Sequence, residues 1–281
     1  MAVIPSEVEN GAAWEAATWT GRLKAERVGS ERIKSVDASE GARDVSTSLD
    51  MTTRLFTALH VYHDDTLHSA AMNMAIDEAL LEHATAPSIR FYRWHSPALS
   101  FGYFGRFADV KSYTRESDLV RRWTGGGIVF HGDDLTYSIV IPVNDAAFGE
   151  SSILVYEKVH RALCRALNGI GVYAELVGSA RCAERTLQRG VLTNSCFAHP
   201  VCADVLIDGL KVAGAAQRRT RSGLLQQGSI QGIDLGNGLA DRFAKALSND
   251  CSERKINEDV LNRARELAYC KYGTAAWLRK R

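Results

Sequence analysis

The sequence predicts an α+β domain: a mixed, mostly antiparallel β-sheet flanked by helices. Short strand-like alternations follow one another with glycine and proline breaks between them. Asp208-Gly209 between two apolar runs is a two-residue hairpin signal, and separate stretches carry apolar residues at helical spacing behind a serine cap.

From Arg54, the alternation in RLFTALHVYH predicts a strand. Ser69 then precedes AAMNMAIDEALLEHA, where Met72, Ile76, Ala79 and Leu80 recur on one helical face. SIRFYRW and ALSFGYF flank Pro97 as two strands, and LVRRW, GIVFH and LTYSIVIP supply three more, interrupted by Gly125, Gly126 and Gly127. Ser151 or Ser152 caps a long helix through ILVYEKVHRALCRALNGIG, which Gly169 and Gly171 stop. VYAELV, ADVLI, LKVAGAAQ and LLQQGSI read as strands, and LADRFAKALS and INEDVLNRARELAYCKY as closing helices. Residues 1–50 are polar and weakly periodic and read as an N-terminal extension, flexible or partly helical. The domain proper is expected over residues 51–281.

The composition, 46% hydrophobic and 24% charged over 281 residues, allows a sizeable core. A formal charge of +1 gives no sequence-wide electrostatic reason to bind nucleic acid or a membrane surface, and no run approaches the roughly 20 apolar residues of a membrane span. Cysteines at 164, 182, 196, 202, 251 and 270 form no CxxC pair and no zinc-like quartet with histidine. Free thiols, no metal and a reducing cytoplasm are therefore expected.

The segment RRWTGGGIVFH places Arg121 and Arg122 before three consecutive glycines. Such a run suits a backbone that approaches a ligand or takes positive φ, and equally a β-turn beside a salt bridge. His131, with Asp133 and Asp134 close by, reads either as a base oriented by a carboxylate or as a structural histidine at a strand end. Cys196 lies in the polar, loop-like LTNSCFAHP and not on an apolar face, which sets it apart from the other thiols. Lys211 interrupts the apolar strand LKVAGAAQ, so it either sits at an exposed edge or faces a cleft. Gly214, Ala215 and Ala216 would leave room for a ligand beside it.

In order, RRWTGGGIVFH, NSCFAHP, and GLKVAGAAQ followed by GLLQQGSI resemble the superfamily of lipoate-protein ligases, biotin-protein ligases and octanoyltransferases. They are most similar to the cysteine-dependent octanoyltransferases that look like lipoate ligases. The resemblance runs from about Phe56 to the C-terminus. It implies a class II biotin/lipoate protein ligase-like catalytic domain. It further implies transfer of an octanoyl group from acyl carrier protein to a lysine of a lipoyl-accepting protein, such as glycine-cleavage H protein or a dehydrogenase E2 lipoyl domain.

By the same resemblance Cys196 would carry the acyl group as a thioester with Lys211 beside it, and no cofactor would be needed. Arg121, Arg122, Gly125, Gly126, Gly127, His131, Gly214, Ala215 and Ala216 would form the pocket. Backbone N–H groups of the 125–127 or 214–216 segments would meet the oxyanion. The chain differs from the related transferases at Gly127, where an arginine is usual, at Gln227, where a histidine is frequent, and at Ala198, where an acid commonly stands. Other activities compatible with the fold are ATP-dependent lipoate ligation, amidotransfer between lipoyl-accepting proteins, and ligand binding without turnover.

Overall fold

Strand alternation along this chain builds a sheet with two apolar faces. The computed structural model describes residues 54–115, 117–178, 201–233 and 238–280. Strand β1 (Ala58–His68) leads into helix α1 (Ala70–Glu82), whose cap Ser69 accepts from the Met72 backbone N–H at 3.3 Å. Strands β2 (Ser88–Trp94), β3 (Ala98–Phe101), β4 (Asp118–Arg121), β5 (Ile128–His131) and β6 (Leu135–Pro142) follow. Helix α2 (Ser152–Asn168) is capped by Ser151. The chain continues through β7 (Glu175–Leu176), β8 (Val205–Ile207), β9 (Leu210–Arg219) and β10 (Gly223–Ile230). Helix α3 (Leu239–Leu247), strand β11 (Asp250–Glu253), helix α4 (Glu258–Leu267) and the short helix α5 (Ala275–Leu278) complete it.

The larger sheet has the order β11-β1-β2-β6-β10-β9-β8-β7, with β1 parallel to both neighbours and the other pairs antiparallel. A second sheet, β4-β3-β5, stands beside it. Because successive strand side chains face opposite sides, Ile139 and Ile141 enter one core, with Val155, Val159, Leu163 and Phe243 of helices α2 and α3. Val140, between them, enters the other core, with Met74, Ile76, Leu80 and Val260 of α1 and α4. Each face of the sheet thus has its own helical cover, and the mixed, mostly antiparallel sheet flanked by helices expected from the sequence is present.

Three details depart from expectation. VYAELV pairs only over Glu175–Leu176, and Asp250–Glu253 forms an edge strand parallel to β1, where its polar sequence gives no strand signal. The last helical pattern breaks at Leu267 into a π-helical turn, Ala268–Tyr272, which buries Tyr272 against Glu78. Cys202 is disulfide-bonded, which corrects the expectation of free thiols throughout. Spacing along the chain does not reveal which cysteines meet in space. Cys164, Cys251 and Cys270 are free, and burial pushes the Cys164 thiol up to about 12. Among the described residues no helix is long and apolar enough to cross a membrane.

Candidate functional site

Where the two sheets meet, a narrow cavity of about 50 Å³ opens, room for the centres of a few waters. Met74, Tyr92, Trp94 and Val129 give it an apolar wall. Arg122, His131, Lys211, Gly214, Ala215 and Ala216 also line it, so six of the residues singled out in the sequence converge here. Arg121, Gly125, Gly126 and Gly127 are not part of this lining; Gly126 and Gly127 border a neighbouring depression with Phe101 and Gly102. Cys196 lies outside the described residues.

The β8–β9 hairpin delivers Lys211. Asp208 (φ 50°) and Gly209 (φ 77°) both take positive φ, as a two-residue turn of this hand requires, and Leu206 pairs with Lys211 across it. The lysine side chain is buried, and its Nζ lies 2.8 Å from Oδ2 of the fully buried Asp204. That carboxylate accepts from Tyr156 Oη at 2.5 Å and from the Val201 backbone N–H at 2.6 Å. Tyr156 in turn accepts from the Ala215 backbone N–H at 3.1 Å, which ties the small-residue wall to the same carboxylate. A Cβ at Gly214 would lie 2.8 Å from Lys211 Nζ, so a larger residue there would make the end of the lysine side chain shift. Behind the pair, His160 Nδ1 donates to the Ala203 carbonyl at 2.7 Å while Nε2 accepts from Tyr137 Oη at 3.0 Å. Burial lowers this imidazole to about 4.

Arg121 and Arg122 are consecutive on an extended segment and diverge for that reason. Arg121 donates to the carbonyls of Tyr103, Gly105, Trp277, Leu278 and Lys280 at 2.7–3.0 Å, anchoring the C-terminal segment away from the cavity. Arg122 turns inward. Its Nη1 donates to Ser100 Oγ at 2.6 Å, and its Nη2 donates to the carbonyls of Gly125 (3.1 Å) and Gly127 (2.8 Å). The glycine run therefore offers Arg122 two carbonyl oxygens. Positive φ accounts for Gly126 (φ 86°), and close backbone approach for the facing Gly102, where a Cβ would come within 2.0 Å of the Gly126 carbonyl oxygen; a Cβ on Gly125 would meet nothing within 4 Å.

His131 sits among partners that the sequence only half discloses. Its Nδ1 is 2.8 Å from Asp134 Oδ2 and its Nε2 is 2.6 Å from Ser100 Oγ, while the Trp94 ring stacks on it at 4.0 Å. Burial holds the imidazole below its usual range, outweighing the attraction of Asp134. Burial also pushes the Asp134 carboxyl up, but hydrogen bonds from His131, Ser229 and Thr136 outweigh it, and the net position is below the usual carboxylate range. Gln227 is held by Thr124 at 2.8 Å and by Asp77 at 2.7 Å, and it joins the cavity wall to the buried Arg90–Asp77 pair behind it. Sequence reasoning missed Ser100, Asp204 and Tyr156. Asp204, seven residues before Lys211 across a recognised hairpin, was the one that hairpin register could have found.

Residues 69–267 match the family described as the lipoyl protein ligase A/B catalytic domain. The chain is 37% identical over 175 residues to octanoyltransferase LipM of Oceanobacillus iheyensis, covering 59% of this chain and 62% of that protein. It is 32% identical over 201 residues to octanoyltransferase LipM of Staphylococcus epidermidis, covering 68% and 72%. With the Oceanobacillus protein, the match thus stops short of two thirds of the relative's length. Lipoate-protein ligase A bound with ATP superposes with a TM-score of 0.62 at 22% identity, covering 79% of this chain and 99% of that one. Protein Ta0514 of T. acidophilum with bound lipoic acid gives 0.63 at 20%, over 79% and 99%. Both likenesses are of fold. Since the matched segment contains the smaller sheet, every strand of the larger sheet except β1, and every described residue of the cavity wall, the chain belongs to the lipoyl protein ligase A/B catalytic domain family.

Proposed function

We propose that this chain moves an octanoyl group from acyl carrier protein to a lysine of a lipoyl-accepting protein, glycine-cleavage H protein or a dehydrogenase E2 lipoyl domain, through a thioester on Cys196. The observation that carries the reading is a buried lysine, Lys211, fixed by Asp204 at the wall of a narrow, partly apolar cavity beside the small residues 214–216. The octanoyltransferase relatives support the choice of acyl group. Eight carbons buried at about 0.8 kcal/mol each would give a chain-length preference worth roughly 6 kcal/mol in total.

In the first half-reaction the Cys196 thiolate, held by the Lys211 ammonium, attacks the donor thioester. A new S–acyl bond forms, the old one breaks, and the departing carrier thiolate takes the Lys211 proton. In the second half the acceptor amine attacks. Its surplus proton passes to the now neutral Lys211, the amide forms, and Cys196 leaves as thiolate. Exchange of one thioester for another is nearly balanced, and amide formation drives the sum forward.

The test is incubation with octanoyl-acyl carrier protein in the absence of ATP, followed by intact and peptide masses for the wild type and Cys196→Ala. An octanoyl adduct on the Cys196 peptide, discharged by an acceptor domain and missing in the variant, is expected. Modification of the acceptor that requires ATP and free acid, and survives Cys196→Ala, would replace transfer by ligation.

A further inference from the structure

The Cys196 route leaves Ser100, in the cavity wall, unused. Ser100, His131 and Asp134 form a serine–imidazole–carboxylate chain, with Oγ to Nε2 at 2.6 Å and Nδ1 to Oδ2 at 2.8 Å, all buried. We infer that Ser100, with His131 as general base and Asp134 as its orienting carboxylate, is a second acyl-accepting centre that hydrolyses medium-chain acyl esters or thioesters independently of the thiol.

Register in the small sheet brings the first two members together. Ser100 pairs with Val129 and Ala98 with His131, so Ser100 and His131 are diagonal neighbours on one face of the β3–β5 pair. Asp134 joins them from the turn into β6, with Oδ1 accepting from the Gly132 backbone N–H at 3.1 Å. Its Oδ2 also accepts from Thr136 at 2.9 Å and Ser229 at 2.7 Å. These bonds keep it a carboxylate and aim it at Nδ1. Stacking on Trp94 (interplanar angle 23°) fixes the plane of the imidazole, and Trp94 is itself held by its own bond to Thr136 at 2.8 Å.

Arg122 Nη1 donates to Ser100 Oγ, so the serine's own proton is directed at His131 Nε2, and Nδ1–H points at Asp134. This is the tautomer a general base needs. A purely structural serine needs neither a base kept neutral by burial nor a guanidinium 2.6 Å from its oxygen. That guanidinium stabilises negative charge developing on Oγ and on an adjacent oxyanion. The substrate class follows from the apolar part of the same cavity lining, where Met74, Tyr92, Trp94 and Val129 present carbon to a narrow space.

The steps balance without a further reagent. Ser100 Oγ bonds to the acyl carbon while its proton passes to Nε2. The C–O or C–S bond to the leaving group breaks and the imidazolium returns the proton to the departing alcohol or thiol. Water then attacks the acyl-serine and gives one proton to Nε2. The released Ser100 takes that proton back as the free acid leaves.

The experiment uses the full chain carrying Cys196→Ala, so that every turnover observed bypasses the thiol. The probes are 4-nitrophenyl octanoate, octanoyl-coenzyme A and an alkyl fluorophosphonate. Expected are octanoate release, a phosphonyl adduct on the peptide containing Ser100, and a fall of roughly 100-fold or more when Ser100→Ala is added. Asp134→Asn in the same background should depress the rate and displace its pH profile, an effect that loss of packing alone does not produce.

No adduct at Ser100, or hydrolysis equal with and without Ser100→Ala, overturns the inference. The adduct is read on a chain in which Ser100 is intact, so it decides the matter even where the Ser100→Ala protein misfolds. Octanoyl transfer through Cys196 is scored on the wild type with an acceptor domain, and the two readings therefore fail separately.

Discussion

Acid should weaken this domain through a buried ring, that of His160. His160 titrates at about 4 in the folded chain against 6.5 for the free side chain, because burial disfavours its charged form. Between those values the unfolded chain binds a proton that the folded chain refuses. The stability His160 contributes is therefore complete above pH 6.5, falls as the pH drops toward 4, and levels off below. At about 1.36 kcal/mol per unit the full loss is roughly 3 kcal/mol, of which roughly 2.5 kcal/mol has gone by about pH 4.5. The geometry explains the refusal. Nδ1 already donates to Ala203, and Nε2 already accepts the Tyr137 hydroxyl, so a proton on Nε2 would force that hydroxyl to rotate and lose its acceptor. Urea unfolding of the wild type and His160→Gln at a series of pH values isolates the ring, since His131 and the carboxylates titrate alike in both. The stability difference between the two proteins should shrink by roughly 2.5 kcal/mol from about pH 7.5 to about pH 4.5. Parallel pH dependences for the two proteins would refute the reasoning.

Three further outcomes follow from the same contacts. Lys211→Met should lower octanoyl transfer by roughly 10² to 10⁴-fold, the usual range for losing a proton-transfer group, measured as initial rate on protein shown to be folded by its melting curve. Gly102→Ala should cost about 1–3 kcal/mol, because the new methyl meets the Gly126 carbonyl at 2.0 Å and must displace the glycine run; the fall in Tm reads it. Arg121→Met should free the carbonyls of Trp277, Leu278 and Lys280 and raise amide exchange in the C-terminal segment, and unchanged exchange would show that these bonds do not hold it.

What is legible in the sequence is local. Asp208-Gly209 specifies its turn because few residue pairs accept two positive φ values, and Ser69 and Ser151 announce helices because their hydroxyls replace missing backbone partners. The strand Asp250–Glu253 is illegible: at a sheet edge it buries little, so it carries no apolar alternation. Adjacent strand residues face opposite ways, so RRW in the sequence does not tell which arginine enters the cavity, and only Arg122 does. His131 stands out beside its neighbouring carboxylates, but Ser100 reaches it through strand pairing across 31 positions, a distance no spacing rule spans. Lys211 is conspicuous as a charge in an apolar strand, and its counter-ion Asp204 emerges only with the register of the hairpin.

The stack of Trp94 on His131 also gives the protein a built-in optical probe. Trp94 is nearly inaccessible to solvent, forms part of the cavity wall, and has its indole N–H committed to Thr136. Its emission therefore depends on what lies against its ring: water, an alkyl chain, or an imidazolium that quenches it. In a chain whose other four tryptophans, Trp14, Trp19, Trp123 and Trp277, are replaced by phenylalanine, occupancy of the cavity and the charge on His131 can then be followed by fluorescence, in real time and without a chromogenic substrate.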